Sequence, residues 1–210
     1  MELQRSYSPA PQGPPRPDGG ISKTAVALVS LFSGLVVGFF LGIGATKAGS
    51  AFLEDLASDE APADVLSPRS YVRSGFSFKY PGNWKIEAEA PDNDPDHQVN
   101  VESPGACMTM LFLLDTPLDP ADSVQTQIDA FVPRLLSAPA RTPFTTWGKY
   151  TGQGVRLKGK LLGLSEGSIR IFSHANDRRS FIAVEQCYDD DMKQVKPGFD
   201  LVESSFELSQ

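Results

Sequence analysis

An uncharged stretch between Lys23 and Lys47 constrains this chain more than any other feature. As an α-helix its 23 residues reach about 34 Å, more than the roughly 30 Å thickness of a bilayer's hydrocarbon core. Helices buried in soluble proteins are usually shorter, and the apolar part of a cleavable export signal is typically about 7 to 15 residues. We therefore predict a transmembrane helix over residues 24–46. Thr46 and Ala48 form a small-x-small pattern, so cleavage of the segment is the alternative.

Basic residues around this helix predict its orientation. Arg5, Arg16 and Lys23 precede the helix, whereas Lys47 alone follows it closely. Because Lys and Arg beside a membrane span stay on the cytoplasmic side, the N-terminus should be cytosolic. The C-terminal body should be periplasmic or otherwise extracytoplasmic, or lumenal if the membrane is a thylakoid.

Small residues recur at every fourth position of the predicted helix. Ser30, Gly34, Gly38 and Gly42 therefore share one face. A bare face of this kind allows two helix backbones to approach closely in lipid. One interpretation is a homodimer formed through this helix-pairing face, and the alternative is the general frequency of glycine in membrane spans.

Composition divides the rest of the chain. Residues 1–23 are rich in proline and predict a disordered cytosolic tail, and residues 47–70 form an acidic linker rich in Ala, Ser and Pro. Residues 71–210 have the length of one extracytoplasmic domain. After Lys47 the chain has 15 bases against 24 acids, a formal charge of −9. That charge repels phosphate backbones and excludes nucleic acid as an expected partner.

Apolar residues in the domain recur mostly with period two, which predicts strands. In GFSFKY, Phe76, Phe78 and Tyr80 share one face, and the turn 81–83 predicts a hairpin with WKIEAE. The stretch CMTMLFLL is apolar on both faces, so we expect a central strand covered by helices.

Helices are predicted before and after a second run of strands. Asp119 and Pro120 mark the start of the first helix. The second covers part of residues 190–203, where Pro197 and Gly198 should interrupt it. Short turns between the strands favour antiparallel pairing. The predicted fold class is α+β, an antiparallel sheet with helices packed on it.

Three features together resemble the PsbP-like superfamily. They are GFSFKYPGNWKIE (Gly75–Glu87), one helix before a run of strands, and the ending PGFDLVESSFEL (Pro197–Leu208). The resemblance covers about residues 71–208 and implies an α/β/α sandwich around an antiparallel sheet. Photosynthetic members bind photosystem II in the thylakoid lumen, and many bacterial relatives are exported, membrane-attached proteins. The resemblance implies a non-catalytic binding or assembly role, with no photosystem contact motif to carry over.

The string GLSEG formally matches the G-x-S-x-G nucleophile elbow and offers Ser165 as a catalytic residue. An elbow needs a helix after the serine, whereas a strand is predicted here. The one downstream histidine, His174, follows after nine residues. A hairpin turn is the better interpretation, and a membrane-tethered serine hydrolase is an alternative function.

Asp92, Asp94 and Asp96 alternate as the ligands of a calcium loop do. His97 stands where an EF-hand has glycine, and Ser103 replaces its final glutamate. An acidic surface loop is the better interpretation, and calcium-dependent binding is a second alternative.

Cys107 and Cys187 are the two cysteines of the chain, and both fall in predicted strands of the exported body. An oxidising compartment would allow them to form a disulfide, with burial as free thiols as the alternative. Taken together, the sequence predicts a membrane-anchored binding or assembly protein without enzymatic activity or cofactor. Its expected partners are membrane lipid along residues 24–46, another protein and a second copy of itself.

Overall fold

The computed structural model describes residues 60–87, 94–105, 107–161 and 165–209. The predicted membrane helix at 24–46, its helix-pairing face (Ser30, Gly34, Gly38 and Gly42) and Asp92 lie outside these ranges. Among the helices within them, none is both long and apolar enough to cross a membrane.

Strands dominate the described part of the chain. The strands are β1 (Arg69–Val72), β2 (Phe76–Tyr80), β3 (Lys85–Glu87), β4 (Gln98–Glu102), β5 (Met108–Leu114), β6 (Leu136–Trp147), β7 (Tyr150–Leu161), β8 (Ser165–Ala175), β9 (Ser180–Tyr188) and β10 (Glu207–Leu208). The helices are α1 (Pro120–Leu135), between β5 and β6, and α2 (Met192–Ser205), between β9 and β10. Asp119 begins α1 as predicted, because its Oδ1 accepts the backbone N–H groups of Ala121 and Asp122 at 2.8 and 3.1 Å.

Two antiparallel sheets are formed. Seven strands pair in the order β3-β4-β5-β9-β8-β7-β6, and three short strands pair in the order β1-β2-β10. All seven residues of β5 are buried, and the strand has a neighbour on each side. The prediction of a central strand from CMTMLFLL is confirmed.

Each face of the seven-stranded sheet has its own apolar core. On one face Val124 and Ile128 of α1 pack on residues of β5, β7, β8 and β9. On the other face α2 and the three-stranded sheet cover β4, β5, β8 and β9, with Phe199 and Phe76 among the buried side chains. The predicted antiparallel α+β class is confirmed, and one outer layer combines a helix with a small sheet.

The predicted hairpin of GFSFKY with WKIEAE is wrong, because β2 and β3 belong to different sheets. The turn between them is fixed by the chain that precedes β1. Asn83 Oδ1 accepts the backbone N–H of Asp64 at 2.8 Å, and Asn83 Nδ2 donates to the Pro62 carbonyl at 3.0 Å. Trp84 then enters the core and packs edge-on against Phe199. These long-range contacts separate the two strands.

The end of the predicted linker lies along the domain. The Ala63 N–H donates to the Gln194 carbonyl at 3.0 Å, in the first turn of α2. Glu60 is buried and accepts a hydrogen bond from the Ser103 hydroxyl at 2.5 Å. The chain from residue 60 onward therefore contributes contacts to the fold.

Helix α2 continues through Pro197 and Gly198, contrary to the predicted interruption. Pro197 removes one hydrogen bond, to the carbonyl of the exposed Lys193, where water can take its place. A Cβ added to Gly198 would overlap Cζ2 of Trp84, so the glycine lets the helix lie close to the Trp84 ring. Packing thus keeps the helix intact.

Candidate functional site

A charged cleft lies between α2 and strands β7 to β9. Its volume is about 450 Å³, within the range of roughly 300 to 1,000 Å³ that is usual for ligand sites. Cations and carboxylates line both walls of the cleft, beside the apolar side chains of Met192 and Phe199. This cleft is the candidate site.

An arginine held by two carboxylates is the best-fixed group in the cleft. Arg170 of β8 stands directly opposite Glu185 of β9 in the sheet. Its Nη1 lies 2.7 Å from Glu185 Oε2 and 3.1 Å from Oε2 of Glu203, which α2 contributes. Glu185 is only 5% exposed. The three side chains therefore join the helix to the sheet, and we call them the Arg170 cluster.

Neighbouring groups complete the hydrogen bonding of both carboxylates. The Trp147 indole N–H donates to Glu185 Oε1 at 2.9 Å, and the Gly148 N–H donates to Glu203 Oε1 at 2.8 Å. Burial raises the pKa of Glu185, although the Arg170 guanidinium and the Trp147 N–H offset part of that rise. Arg170 is therefore a pre-organised cation, held by two carboxylates that are each fixed by a further hydrogen bond.

Changing Gly148 to alanine should lower the free energy of unfolding by about 1–3 kcal/mol. Gly148 has a φ of +53°, which side chains rarely adopt, and an added Cβ would overlap the carbonyl oxygen of Glu203. Urea unfolding followed by tryptophan fluorescence measures the change. Thr146→Ala, at an exposed position of the same hairpin, is the control and should shift stability by less than about 0.5 kcal/mol.

Two further ion pairs border the cleft. Lys158 Nζ lies 2.9 Å from Asp189 Oδ2, and Lys196 Nζ lies 2.6 Å from Asp200 Oδ2 one helical turn away. All four side chains are at least one-third exposed. These pairs contribute little to stability and leave their charges available to a ligand.

A disulfide joins Cys107 to Cys187, with a Cα–Cα distance of 4.4 Å. Cys187 belongs to β9 and lines the cleft. Cys107 immediately precedes β5, where Met108 stands opposite Gln186. The bond therefore fixes β5 and β9 to each other at the edge of the cleft.

The structure does not bring the predicted hydrolase residues together. Ser165 begins β8, and His174 is the tenth residue of the same strand, about 30 Å away at the usual rise per residue. His174 Nδ1 is bonded to the Thr151 carbonyl at 2.8 Å. Because a strand follows Ser165 and His174 lies at its other end, the hydrolase hypothesis based on these residues is wrong.

In the described part of the predicted calcium loop, both carboxylate oxygens of Asp94 make contacts within the loop. Asp94 Oδ1 accepts the Asp96 N–H at 3.0 Å, and Asp94 Oδ2 lies 2.7 Å from His97 Nδ1. No group of three or more metal-ligating side chains occurs among the residues that the structure describes. Because Asp92 is outside those residues, calcium binding stays a prediction.

His97 lies between two carboxylates, which the sequence did not predict. Its Nε2 is 3.0 Å from Asp115 Oδ2, and its Nδ1 contacts Asp94. The hydrogen bond to Asp115, followed by that to Asp94, raises the pKa of His97, although partial burial opposes the rise. Arg179 Nε lies 3.6 Å from the other oxygen of Asp115. With a carboxylate at each ring nitrogen, the favoured form is the doubly protonated imidazolium.

This arrangement predicts a pH dependence of stability. The pKa of His97 is raised above its unfolded value of 6.5, so its contribution is complete below that pH and is lost as pH rises through the folded pKa. Because Asp94 and Asp115 are mostly exposed, we expect a loss of only about 0.5 kcal/mol. Thermal melts at several pH values should show wild type losing more stability than His97→Gln above neutrality. Equal losses in the two proteins would contradict this.

No family model and no curated protein sequence matches the chain. Similar folds occur among solved structures. A cyanobacterial PsbP from Synechocystis is 16% identical over 69% of this chain and 94% of that one, with a TM-score of 0.40. LpqN, involved in cell envelope biogenesis of Mycobacterium tuberculosis, is 11% identical over 69% and 90%, with a TM-score of 0.41.

Two further structures are similar at the same level. The Ran-binding protein Mog1p of Saccharomyces cerevisiae is 9% identical over 68% of this chain and 95% of that one, with a TM-score of 0.45. The chain also spans about half, 48%, of a Bacteroides thetaiotaomicron protein, at 8% identity and a TM-score of 0.44. One of the four structures is a PsbP. At these identities and TM-scores they carry neither membership nor activity over to this chain.

Sequence reasoning missed the Arg170 cluster. A signal was present, since Glu185 directly follows the apolar run FIAV and Arg170 lies between two isoleucines in GSIRIF. A charged residue within an apolar strand needs a partner of opposite charge. That signal marks the two residues as a candidate pair, but the contribution of Glu203 depends on how α2 packs.

Proposed function

We propose that this protein is a membrane-anchored, non-catalytic binding or assembly protein, and that its exported domain binds a protein partner at the cleft beside α2. The observation that carries the proposal is Arg170, held by Glu185 and Glu203 in an open cleft of suitable size. A cation whose position is already fixed loses little entropy when a partner binds.

The chemistry of the cleft favours binding over catalysis. Three of its cations, Lys158, Arg170 and Lys196, are in ion pairs with carboxylates that also line the cleft. These ion pairs fix the positions of the three cations. Ser165, the nucleophile of the alternative hydrolase, begins β8 and is not among the residues that line the cleft, although Ser168 is.

The anchor completes the proposal. The uncharged residues 24–46 have the length of a membrane span, and the preceding bases favour a cytosolic N-terminus. The disulfide supports export of the domain, because such bonds persist in oxidising compartments. Extraction of membranes with alkaline carbonate should leave the full-length protein in the membrane fraction, and its release would contradict the anchor.

Capture of partners by the full-length protein from gently solubilised membranes tests the cleft. Lys196→Glu reverses a charge on the cleft wall of α2, whereas Lys193→Glu makes the same change at an exposed position of α2 outside the cleft. We expect the first variant to lose a partner that wild type and the second variant retain. If both variants retain every partner, or both lose the same one, the cleft is not the binding site.

Self-association through the helix-pairing face is part of the same proposal. Gly38→Leu fills the face that Gly34 and Gly42 share, so crosslinked dimers in membranes should fall several-fold. Val36→Leu, on the opposite side of a helix at this position, is the control and should leave the dimer unchanged. Equal dimer yields in the two variants would contradict self-association through the helix-pairing face.

A further inference from the structure

Three cations alternate along β7 on the side of the sheet that faces the cleft. Arg156, Lys158 and Lys160 are all exposed, and Arg156 and Lys158 line the cleft itself. Residues two apart in a strand share a face, so the three lie in a row about 13 Å long. We call them the basic strip.

Within the described part of the chain, two of the three cations of the strip have no ion-pair partner. Lys158 is paired with Asp189. Among the residues that the structure describes, no carboxylate oxygen lies within ion-pair distance of Arg156 or Lys160, although Glu166 stands opposite Lys160 in the sheet.

Arg156 also stands directly opposite Arg170 on β8. Like charges at opposite positions repel each other. The charge of Arg170 is neutralised by Glu185 and Glu203. Among the described residues, no carboxylate lies within ion-pair distance of Arg156. A ligand carboxylate at Arg156 would therefore pair with a cation that no carboxylate of the described residues neutralises.

The strip is accessible from solvent. Helix α1 packs on the other face of β7, and α2 packs on β2 and β9. The side of β7 that carries Arg156, Lys158 and Lys160 therefore borders the cleft without a covering helix, in agreement with the exposure of all three side chains.

Charge complementarity identifies the kind of partner. The chain beyond Lys47 carries a formal charge of −9, so a bilayer of anionic lipid or a nucleic acid would be repelled by the domain as a whole. A short acidic segment can contact the strip alone. In an extended segment, alternate carboxylates are about 6.7 Å apart, which is the spacing of the strip.

We propose that the basic strip binds an acidic polypeptide segment of a partner protein, laid along β7 with alternate carboxylates facing Arg156, Lys158 and Lys160. This inference rests on the proposed function, since it names the chemistry of the partner at the same cleft. The attraction steers association and weakens with salt.

The probe is a fluorescent peptide of four Glu-Ser repeats, compared with its Gln-Ser counterpart by anisotropy on full-length protein in detergent. We expect the Glu peptide to bind at least about tenfold more tightly than the Gln peptide, and about tenfold less tightly when salt rises from about 50 to about 300 mM. Arg156→Gln/Lys160→Gln should weaken binding about tenfold. Arg178→Gln/Lys193→Gln, with the same charge change at exposed positions outside the cleft, should leave it unchanged.

Several results would overturn the inference. They are no binding of the Glu peptide, equal binding of both peptides, or equal affinity of the strip variant and the control. Strip-dependent binding to vesicles of anionic lipid, without peptide binding, would identify a membrane instead. Peptide binding that appears only after Glu54, Asp55 and Asp59 become amides would identify the chain's own linker as the occupant.

The two proposals fail separately. If Lys196→Glu abolishes partner capture while the strip variant and the peptide show no effect, the cleft binds a partner of another chemistry and only the inference fails. If Lys196→Glu also has no effect, the proposed function fails.

Discussion

Arg170→Met is expected to lower the free energy of unfolding by about 3–5 kcal/mol, because it leaves the buried carboxylate of Glu185 without a cation. Methionine keeps an unbranched apolar side chain and removes the guanidinium group, with its charge and its hydrogen bonds to Glu185 and Glu203. Urea unfolding followed by tryptophan fluorescence measures the loss. Both tryptophans, Trp84 and Trp147, are buried in the domain, so the signal reports on this domain even in the full-length chain.

The pH dependence of that variant tests the reason for its loss. Without Arg170, the buried carboxyl of Glu185 should have a folded pKa well above its unfolded value, so the folded state binds a proton more readily. The deficit relative to wild type should therefore shrink as pH falls from about 7 to about 5. Arg170→Met/Glu185→Gln should recover part of the loss at neutral pH.

A matched change on the neighbouring strand separates charge from burial. Arg156→Met alters an exposed arginine on the same face and should change stability by less than about 0.5 kcal/mol. If Arg170→Met is as stable as Arg156→Met, the Arg170 cluster does not hold the cleft together.

Removal of the disulfide by Cys107→Ala/Cys187→Ala is expected to cost about 2–5 kcal/mol. The bond joins residues 80 apart in sequence, and in the loop-entropy model it restricts the unfolded chain accordingly. The unfolding midpoint in urea, measured with and without a reducing agent, reports the effect.

Two comparisons make the disulfide experiment decisive. Reducing agent should lower the midpoint of wild type towards that of the double variant, and it should leave the double variant itself unchanged. A wild-type midpoint that is the same in both conditions, with the bond shown to be reduced, would contradict a stabilising role.

The strands of this fold could be predicted from local pattern because each strand has one clear periodicity. Phe76 and Phe78 are buried, whereas Lys79, which follows Phe78, is exposed, as alternation requires. The stretch Met108–Leu114 has apolar residues on both faces, so it could be placed at the centre of a sheet that is covered on both sides. Local pattern decides which residues face a core.

Strand pairing could not be predicted in the same way. β2 and β3 are separated by a turn of four residues, yet β2 pairs with β10, more than 120 residues later. The turn is directed by Asp64 and Pro62, which precede β1. Contacts between residues so distant in sequence leave no periodic signal near the turn.

The candidate site depends on the same long-range geometry. Arg170 meets Glu185 because the β8–β9 register places them opposite each other, and a shift of one residue would put them on opposite faces. Glu203 reaches the pair from a helix 33 residues after Arg170. The local sequence marks charged residues in apolar strands, but only packing shows that three of them share one cleft.

The central claim is that this protein binds its partner at the cleft beside α2. Site-specific photo-crosslinking in cells tests this claim most directly. A photoreactive amino acid at Asp200 would stand on the exposed wall of the cleft, and one at Asp129 would stand on the exposed side of α1, across the sheet. We expect a defined partner adduct from position 200 that is absent from position 129, that is lost when Lys196→Glu is added and that is retained when Lys193→Glu is added. Adducts from position 129 alone, or the same adduct from both positions, would contradict the central claim.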